Sequence, residues 1–402
     1  MPRRTLLIVG LILLARDPLA APAAGRAAAA RAGAVNRDDP ADHPEGFDQA
    51  DVFVAGREGY PTFRIPALLA TPRGTLLAFC EGRNSGRGDS GDIDLVLRRS
   101  TDGGATWGPV QVVIDAGPDT AGNPCPVVDR ATGTIWLLST RNLGRDTERQ
   151  ILDGTARGTR TVWVQTSTDD GVSWSEPAEI TGAVKRPDWT WFATGPGVGI
   201  QLTGGRLLVP CDHYLAGTRA AGAHVIFSDD HGATWRLGGV LGGGVNECQA
   251  AERADGTVLM NLRNQPPRPG EGRAVATSRD GGESWSEPVR DPALVEPGCQ
   301  ASLIAHPDRR AHPDRLLFSN PAGARRERLT VRQSDDGGRT WPVARAIHPG
   351  PAAYSCLAVL ADGTIACLYE RGAAQPYERI TLARFGPRWL AGAADRPEGR
   401  SP

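Results

Sequence analysis

The sequence has no excess of basic charge: 45 Lys and Arg stand against 46 Asp and Glu over 402 residues, a formal net charge of −1. Without a basic field, nucleic acid and anionic membrane surfaces are excluded as primary partners. It also lacks any Cys-x-x-Cys pair among its seven cysteines, Cys80, Cys125, Cys211, Cys248, Cys299, Cys356 and Cys367. Neither a zinc nor a dithiol redox site is therefore indicated, and no metal or cofactor is expected, with a structural calcium ion left open. The odd count leaves at least one free thiol if pairing is intramolecular. Most cysteines lie in apolar strand-like runs and read as small buried side chains, with one or more disulfides as the alternative. The N-terminal apolar run, Leu6 to Ala15, is too short to cross a bilayer comfortably.

That run follows Arg3 and Arg4 and precedes small residues at Ala20, Ala21, Ala23 and Ala24, the order of a secretory signal peptide. No cysteine lies near the cleavage region, so lipid attachment there is not indicated. Residues 1–24 are expected to be a signal peptide and 25–46, rich in Ala, Arg, Asp and Pro, a disordered linker. A secreted or cell-surface protein follows. Glycine (50) and proline (32) are abundant, which points to many turns and short strands rather than long helices.

Repeats carry the fold assignment. Five segments share the pattern Ser-x-Asp-x-Gly-x-Thr/Ser-Trp: Ser100–Trp107, Ser167–Trp174, Ser228–Trp235, Ser278–Trp285 and Ser334–Trp341. The invariant Asp (Asp102, Asp169, Asp230, Asp280, Asp336) can accept loop N–H bonds, and the Gly suits positive φ. A weaker turn recurs six times, at Gly74, Gly133, Gly205, Gly256, Asp314 and Gly363. Six blades of four antiparallel strands account for both signals, a β-propeller over residues 47–390 with a tail at 391–402. The weaker turn joins strands one and two, and the stronger joins three and four. The last blade has no such box, and the segment around Val52-Phe53-Val54 is expected to supply its fourth strand. A β-sandwich is the alternative, but it does not predict this pairing of turns.

Both turns mark one end of each blade, so a site is sought at the other. Strand-one starts there give Arg64, Glu247 and Tyr354, strand-two ends give Arg83, Arg263 and Glu370, and the following connections give Asp89 and Arg326. Several arginines around one point repel unless an anion lies between them, and the guanidinium fork binds a carboxylate in bidentate fashion. Phosphate or sulfate fits on charge alone. Tyr354 and Glu247 form a candidate nucleophile and base, because a phenol with pKa near 10 needs an activating partner. An uncharged Tyr also approaches, at lower cost than an Asp or Glu, an anomeric carbon that bears a carboxylate. Asp89 then serves as acid and base. Taken singly, each arginine reads equally as a surface residue, Tyr354 as a rim tyrosine and Asp89 as a loop residue.

The repeated box resembles the Asp-box of sialidases and some other propellers, and roughly Val52 to Phe385 is similar to exo-sialidases of the bacterial and animal type. Phe63-Arg64-Ile65-Pro66 resembles their F/Y-R-I-P motif, which implies that Arg64 belongs to a carboxylate-binding triad. Asn261-Leu262-Arg263 and Arg326-Glu327-Arg328 resemble the segments of its other members, with Arg325 and Arg328 as rivals of Arg326. Asn246-Glu247-Cys248 and Ala353-Tyr354-Ser355 resemble the base and nucleophile segments. Glu370 resembles the acid that steadies the first triad arginine, Glu81-Gly82-Arg83 the site of a further substrate-binding arginine, and Asp89 the acid/base, ahead of Asp92 and Asp94. Cys356 departs from the pattern, standing where relatives carry an acidic residue. The resemblance implies retaining hydrolysis of terminal α-linked sialic acids from glycoproteins, glycolipids and oligosaccharides by a monomer, through a tyrosyl-enzyme intermediate. A non-catalytic glycan-binding propeller, a transferase, and an enzyme for a 2-keto acid sugar without an N-acetyl group are the alternatives. The pocket for the C5 substituent is placed near Asn123 and Thr194.

Overall fold

The computed structural model describes residues 46–268 and 270–392, all within one unit spanning Ala34–Pro402. The expected signal peptide, nearly all of the linker and most of the tail lie outside the described residues. Those that are described form an all-β structure, in which the recurring unit is an antiparallel four-stranded meander. After β1 (Phe47–Val54), the first meander comprises β2 (Thr62–Ala70), β3 (Leu76–Arg83), β4 (Ile93–Ser100) and β5 (Gln111–Ile114). The next comprises β6 (Thr120–Val128), β7 (Ile135–Asn142), β8 (Thr161–Ser167) and β9 (Ala178–Glu179), with α1 (Glu148–Leu152) between β7 and β8 and α2 (Thr181–Val184) after β9. Then come β10 (Trp189–Thr194), the short β11 (Ile200–Gln201), β12 (Leu207–Leu215), β13 (Ala221–Ser228) and β14 (Arg236–Leu241). They are followed by β15 (Val245–Glu252), β16 (Val258–Asn264), β17 (Arg273–Ser278) and β18 (Val289–Asp291). The chain ends through β19 (Ser302–Ala305), β20 (Leu316–Pro321), β21 (Glu327–Ser334), β22 (Val343–Val359), β23 (Ile365–Arg371), β24 (Arg379–Phe385) and α3 (Pro387–Leu390).

By hydrogen bonding these strands make four open sheets, of seven, five, four and eight strands. The 17-residue β22 belongs to two meanders: Val343–Pro351 pairs with β21, and Ala352–Val359 pairs with β23. As expected from the sequence, the N-terminal strand returns to the last meander, with Phe47 opposite Phe385 and Val54 opposite Arg379.

Burial falls from the inside of each meander to its outside. The second strands, such as β3 and β12, are buried almost throughout, whereas the fourth strands β5 and β18 are short and largely half-exposed or exposed. A strand covered on both faces by neighbouring meanders needs a continuous apolar run, as Leu76-Leu77-Ala78-Phe79-Cys80 supplies. Consecutive meanders share apolar clusters. Phe79 and Leu97 pack with Leu137, Leu138 and Val127 pack with Phe192 and Val209, and Leu208 packs with Met260. Leu68 and Leu76 pack with Leu368 and Ile380 of the last meander. Each fully buried Leu, Val or Phe is worth about 1.5–3 kcal/mol relative to exposure. All seven cysteines are free and buried within such surfaces, so no disulfide forms in this structure.

The five Ser-x-Asp turns follow β4, β8, β13, β17 and β21 and repeat one hydrogen-bond set. Ser100 Oγ donates to Asp102 Oδ1 (2.7 Å) and accepts from Gly104 N (2.8 Å), while Asp102 accepts from Thr106 N (2.9 Å) and Thr106 Oγ1 (2.6 Å). The left-handed glycine fits a close approach: a Cβ on Gly104 would lie 2.4 Å from Leu382.

Candidate active site

The functional side chains project from the ends of the strands opposite these turns. Register places Arg64 of β2 opposite Glu81 of β3, and Thr62 opposite Arg83. At this end the first strand of several meanders carries a β-bulge: between Arg64 and Ala67, Gly122 and Cys125, Val245 and Cys248, and Ala352 and Ser355. A bulge adds a residue to one strand and re-aims its side chains. The bulged residues include Ile65, Asn123, Glu247 and Tyr354. Ile65 adopts φ 61° and Asn123 φ 55°. For a β-branched residue that costs about 1–3 kcal/mol. An offsetting contact is visible: Ile65 N–H donates to Glu370 Oε1 at 2.9 Å.

A cavity of about 180 Å³ opens there, lined by Arg64, Arg83, Asp89, Glu247, Arg263, Arg326 and Tyr354. Glu370 lies behind it, fully buried. Its carboxylate accepts from Arg64 Nε (2.8 Å), Ile65 N (2.9 Å) and Tyr354 N (3.1 Å). One side chain therefore fixes both the guanidinium of Arg64 and the backbone of Tyr354. The Tyr354 hydroxyl donates to Glu247 Oε1. Arg263 Nη1 bridges the pair, donating to Glu247 Oε2 (2.5 Å) and the Tyr354 hydroxyl (3.3 Å). Arg326 donates to the Tyr377 hydroxyl (2.9 Å) and Gly298 O (3.1 Å), and its guanidinium lies 5.5 Å from the Tyr354 ring centre. Its sequence rivals point elsewhere: Arg325 and Arg328 are exposed.

Burial, then the Glu247 carboxylate, push the Tyr354 phenol well above its ordinary range, against the pull of Arg263 and Arg326. Tyr354 is thus a neutral phenol already hydrogen-bonded to a carboxylate. At Asp89 desolvation acts upward, but Arg83, then Arg64, outweigh it and hold the carboxyl below its usual range.

Arg83 lines the cavity, with its donors engaged by the protein itself. Its five N–H groups are all engaged: Nε and Nη2 with Glu81 (2.9 and 2.6 Å), Nη1 with Arg87 O and Gly88 O (2.7 and 2.9 Å), and Nη2 with Asp89 (2.8 Å). In this state Arg83 organises the Asp89 loop. Asp94 faces away, bonded to the Tyr60 hydroxyl (2.7 Å), and Asp92 is tied to Asn84 (2.7 Å). Thr194 is fully buried and does not line the cavity; its hydroxyl donates to Asn123 O at 2.6 Å. The buried Cys356 thiol faces Leu68 O. Sequence reasoning missed Glu81, Glu148, Arg160, Trp191, Asp212 and Tyr214, which also line the cavity. The same strand-end reasoning, applied to the β6–β9 and β10–β14 meanders, reaches Arg160 before β8 and Asp212 near the end of β12.

A family model described as a BNR repeat-like domain matches residues 74–367. A sialidase of Micromonospora viridifaciens is 41% identical over 370 residues, covering 86% of this chain and 55% of its own length. The solved structure of the Hadza microbial sialidase Hz136 is 33% identical with a TM-score of 0.77, over 85% of this chain and 69% of that one. The chain belongs to the sialidase family. A Bacteroides fragilis sialidase is 33% identical over 340 residues, 80% of this chain and 62% of its own. The chain therefore spans between half and two thirds of the length of these two curated sialidases. The segments that resemble sialidase motifs, Phe63–Pro66 and Ala353–Ser355, fall on two of the four bulges.

Proposed function

We propose that the protein is a secreted exo-α-sialidase that releases terminal α-linked sialic acids from glycoconjugates with retention of configuration. Residues 47–390 are read as one catalytic propeller, its six meanders forming six blades and β1 completing the last. Residues 1–24 are read as the export signal, and the enzyme as a monomer. The observation that carries the reading is the hydrogen-bonded chain Glu247–Tyr354–Arg263, facing a cavity walled by Arg64 and Arg326.

In this mechanism Arg64, Arg263 and Arg326 hold the substrate carboxylate through N–H groups not used within the protein. That places the anomeric carbon at the Tyr354 hydroxyl. The phenol oxygen forms a bond to this carbon as its proton passes to Glu247. The bond to the leaving oxygen breaks, with its electron pair, and Asp89 delivers a proton to that oxygen. Arg263 offsets the charge developing on the phenol oxygen. In the second half Asp89, now a carboxylate, takes a proton from water, and the water oxygen attacks the anomeric carbon from the face the leaving group vacated, breaking the bond to the tyrosine oxygen. Glu247 returns its proton to Tyr354, and both residues are restored. Two displacements give net retention. For Asp89 to act as an acid it must leave Arg83 and gain a proton, so substrate binding has to open that ion pair.

The test is release of 4-methylumbelliferone from its α-sialoside. Tyr354→Phe is expected to lower kcat by on the order of 10³-fold or more while leaving the fold intact. Absence of release by folded wild-type protein from mildly acidic to neutral pH overturns the enzyme assignment, and full activity in Tyr354→Phe overturns the nucleophile.

A further inference from the structure

The catalytic account leaves one wall of the cavity without a role. Arg64, Arg263, Arg326 and Tyr354 come from or beside β2, β16, β21 and β22, whereas the remaining wall is built by the β6–β9 and β10–β14 meanders. Its central feature is Arg160, only 2% exposed. The guanidinium lies over the Trp191 ring at 4.0 Å, and Nε donates to Asn142 Oδ1 at 3.1 Å. Nη1 is buried and has no hydrogen-bond partner, and among the described residues Arg160 makes no ion pair. A buried cation with an idle donor at a cavity wall is costly unless a ligand completes it. Asp212 stands on the same wall, 2% exposed, its carboxyl also without a hydrogen bond among the described residues.

The sialidase reading fixes which part of the sugar meets this wall. With the carboxylate on the arginines and the anomeric carbon at Tyr354, the ring extends away from both, toward Arg160 and Asp212. Its far side carries the C5 substituent. We propose that Arg160 and Asp212 are the specificity-determining pair for that substituent, and that they select a hydroxyl over an acetamido group. This rests on the sialidase reading and adds the substrate class.

The chemistry of the wall supports the choice. A hydroxyl accepts from the idle Arg160 N–H and donates to an Asp212 carboxyl oxygen, completing both groups at once. An acetamido group brings a methyl that needs an apolar seat. Among the described residues the apolar lining is Ile65, Trp191, Ala193 and the rings of Tyr214 and Tyr354; Arg160 already covers the Trp191 ring, and Tyr354 is committed to the anomeric carbon. A methyl there would mask Arg160 or Asp212 without bonding either.

The experiment compares kcat/KM for two 4-methylumbelliferyl α-glycosides of nonulosonic acids that differ only at C5, hydroxyl against acetamido. The substrates are tested on wild type, Arg160→Met and Asp212→Asn, with folding checked by thermal melting. Wild type is expected to favour the hydroxyl substrate by about 10-fold or more, because a site built to bond a hydroxyl rejects an analogue that cannot complete it. Either variant should bring the ratio towards one by slowing the hydroxyl substrate. Should Arg160→Met fail to fold, the near-isosteric Asp212→Asn decides the same point. Equal rates in wild type, a preference for acetamido, or an unchanged ratio in a folded variant overturns this inference and leaves the sialidase reading standing. No hydrolysis of either substrate overturns both.

Discussion

Replacing Glu370 with Gln tests how the site is held together. The Glu370 carboxylate is fully buried and faces only donors: Arg64 Nε at 2.8 Å, Arg64 Nη2 at 3.5 Å, Ile65 N at 2.9 Å and Tyr354 N at 3.1 Å. Glutamine keeps the shape, but its NH₂ must replace one of the two oxygens. Whichever way the amide turns, two N–H groups then face an N–H donor. One of them is always on Arg64, which is itself buried. Breaking a buried ion pair in this way costs about 3–5 kcal/mol. With about 2.1 cal/mol/K of unfolding entropy per residue, a chain of this size loses about 1.3 °C per kcal/mol, so Tm should fall by roughly 4–7 °C. Function should suffer separately, because the same carboxylate aims Arg64 at the substrate and pins the Tyr354 backbone. kcat/KM for the fluorogenic sialoside should drop by on the order of 10-fold or more in protein that is still folded at the assay temperature. Calorimetric melting and steady-state kinetics on Glu370→Gln supply both numbers. Stability within about 1 kcal/mol of wild type, together with unchanged kcat/KM, would refute the reasoning.

Asp89→Ala should lower kcat by about 10²–10⁴-fold on a natural sialyl-galactose linkage but far less on a glycoside with an acidic phenol leaving group. Equal losses on both, measured by released sialic acid, would remove Asp89 from the acid role. The turn residue Asp169 is pushed down from the ordinary 3.8 to about 2, first by the Ser173 hydroxyl and then by the Ser173 N–H. Because its folded pKa is depressed, its stabilising contribution is complete above about pH 4 and is lost as pH falls from 4 towards 2. Urea unfolding of Asp169→Asn across that window should show a shallower acid loss than wild type, and an identical pH slope would contradict the assignment.

The sequence carried the meander and the end of the strands to search, because both depend on local signals. A turn with Asp102 and Gly104 declares its hydrogen bonds within eight residues. The return of β1 to β24 was likewise readable, from a box missing at the end of the repeat. What was not readable depends on how strands pair. The bulges at Ile65, Asn123, Glu247 and Tyr354 arise from register against a second strand, so no single segment announces them. The double membership of β22 has no local signal, because the strand runs through Pro349 and Pro351, and proline is disfavoured inside strands. Arg83 lines the cavity, but no local signal showed that its five donors are occupied by Glu81, Asp89 and two carbonyls. Arg160 and Asp212 lie on meanders for which the motif reading offered only Asn123 and Thr194.

The most direct test of the central claim is to trap the intermediate. A 2,3-difluorosialic acid carries fluoride at C2 as a good leaving group, and its C3 fluorine slows the second displacement, so a covalent species should accumulate. The C2 fluorine departs as fluoride when the phenol oxygen bonds to C2, so mass spectrometry of the intact protein should show one added 3-fluorosialosyl group, and peptide mapping should place it on Tyr354. An adduct on a carboxylate, or turnover of a sialoside with inversion and no adduct on any residue, would contradict the tyrosyl mechanism.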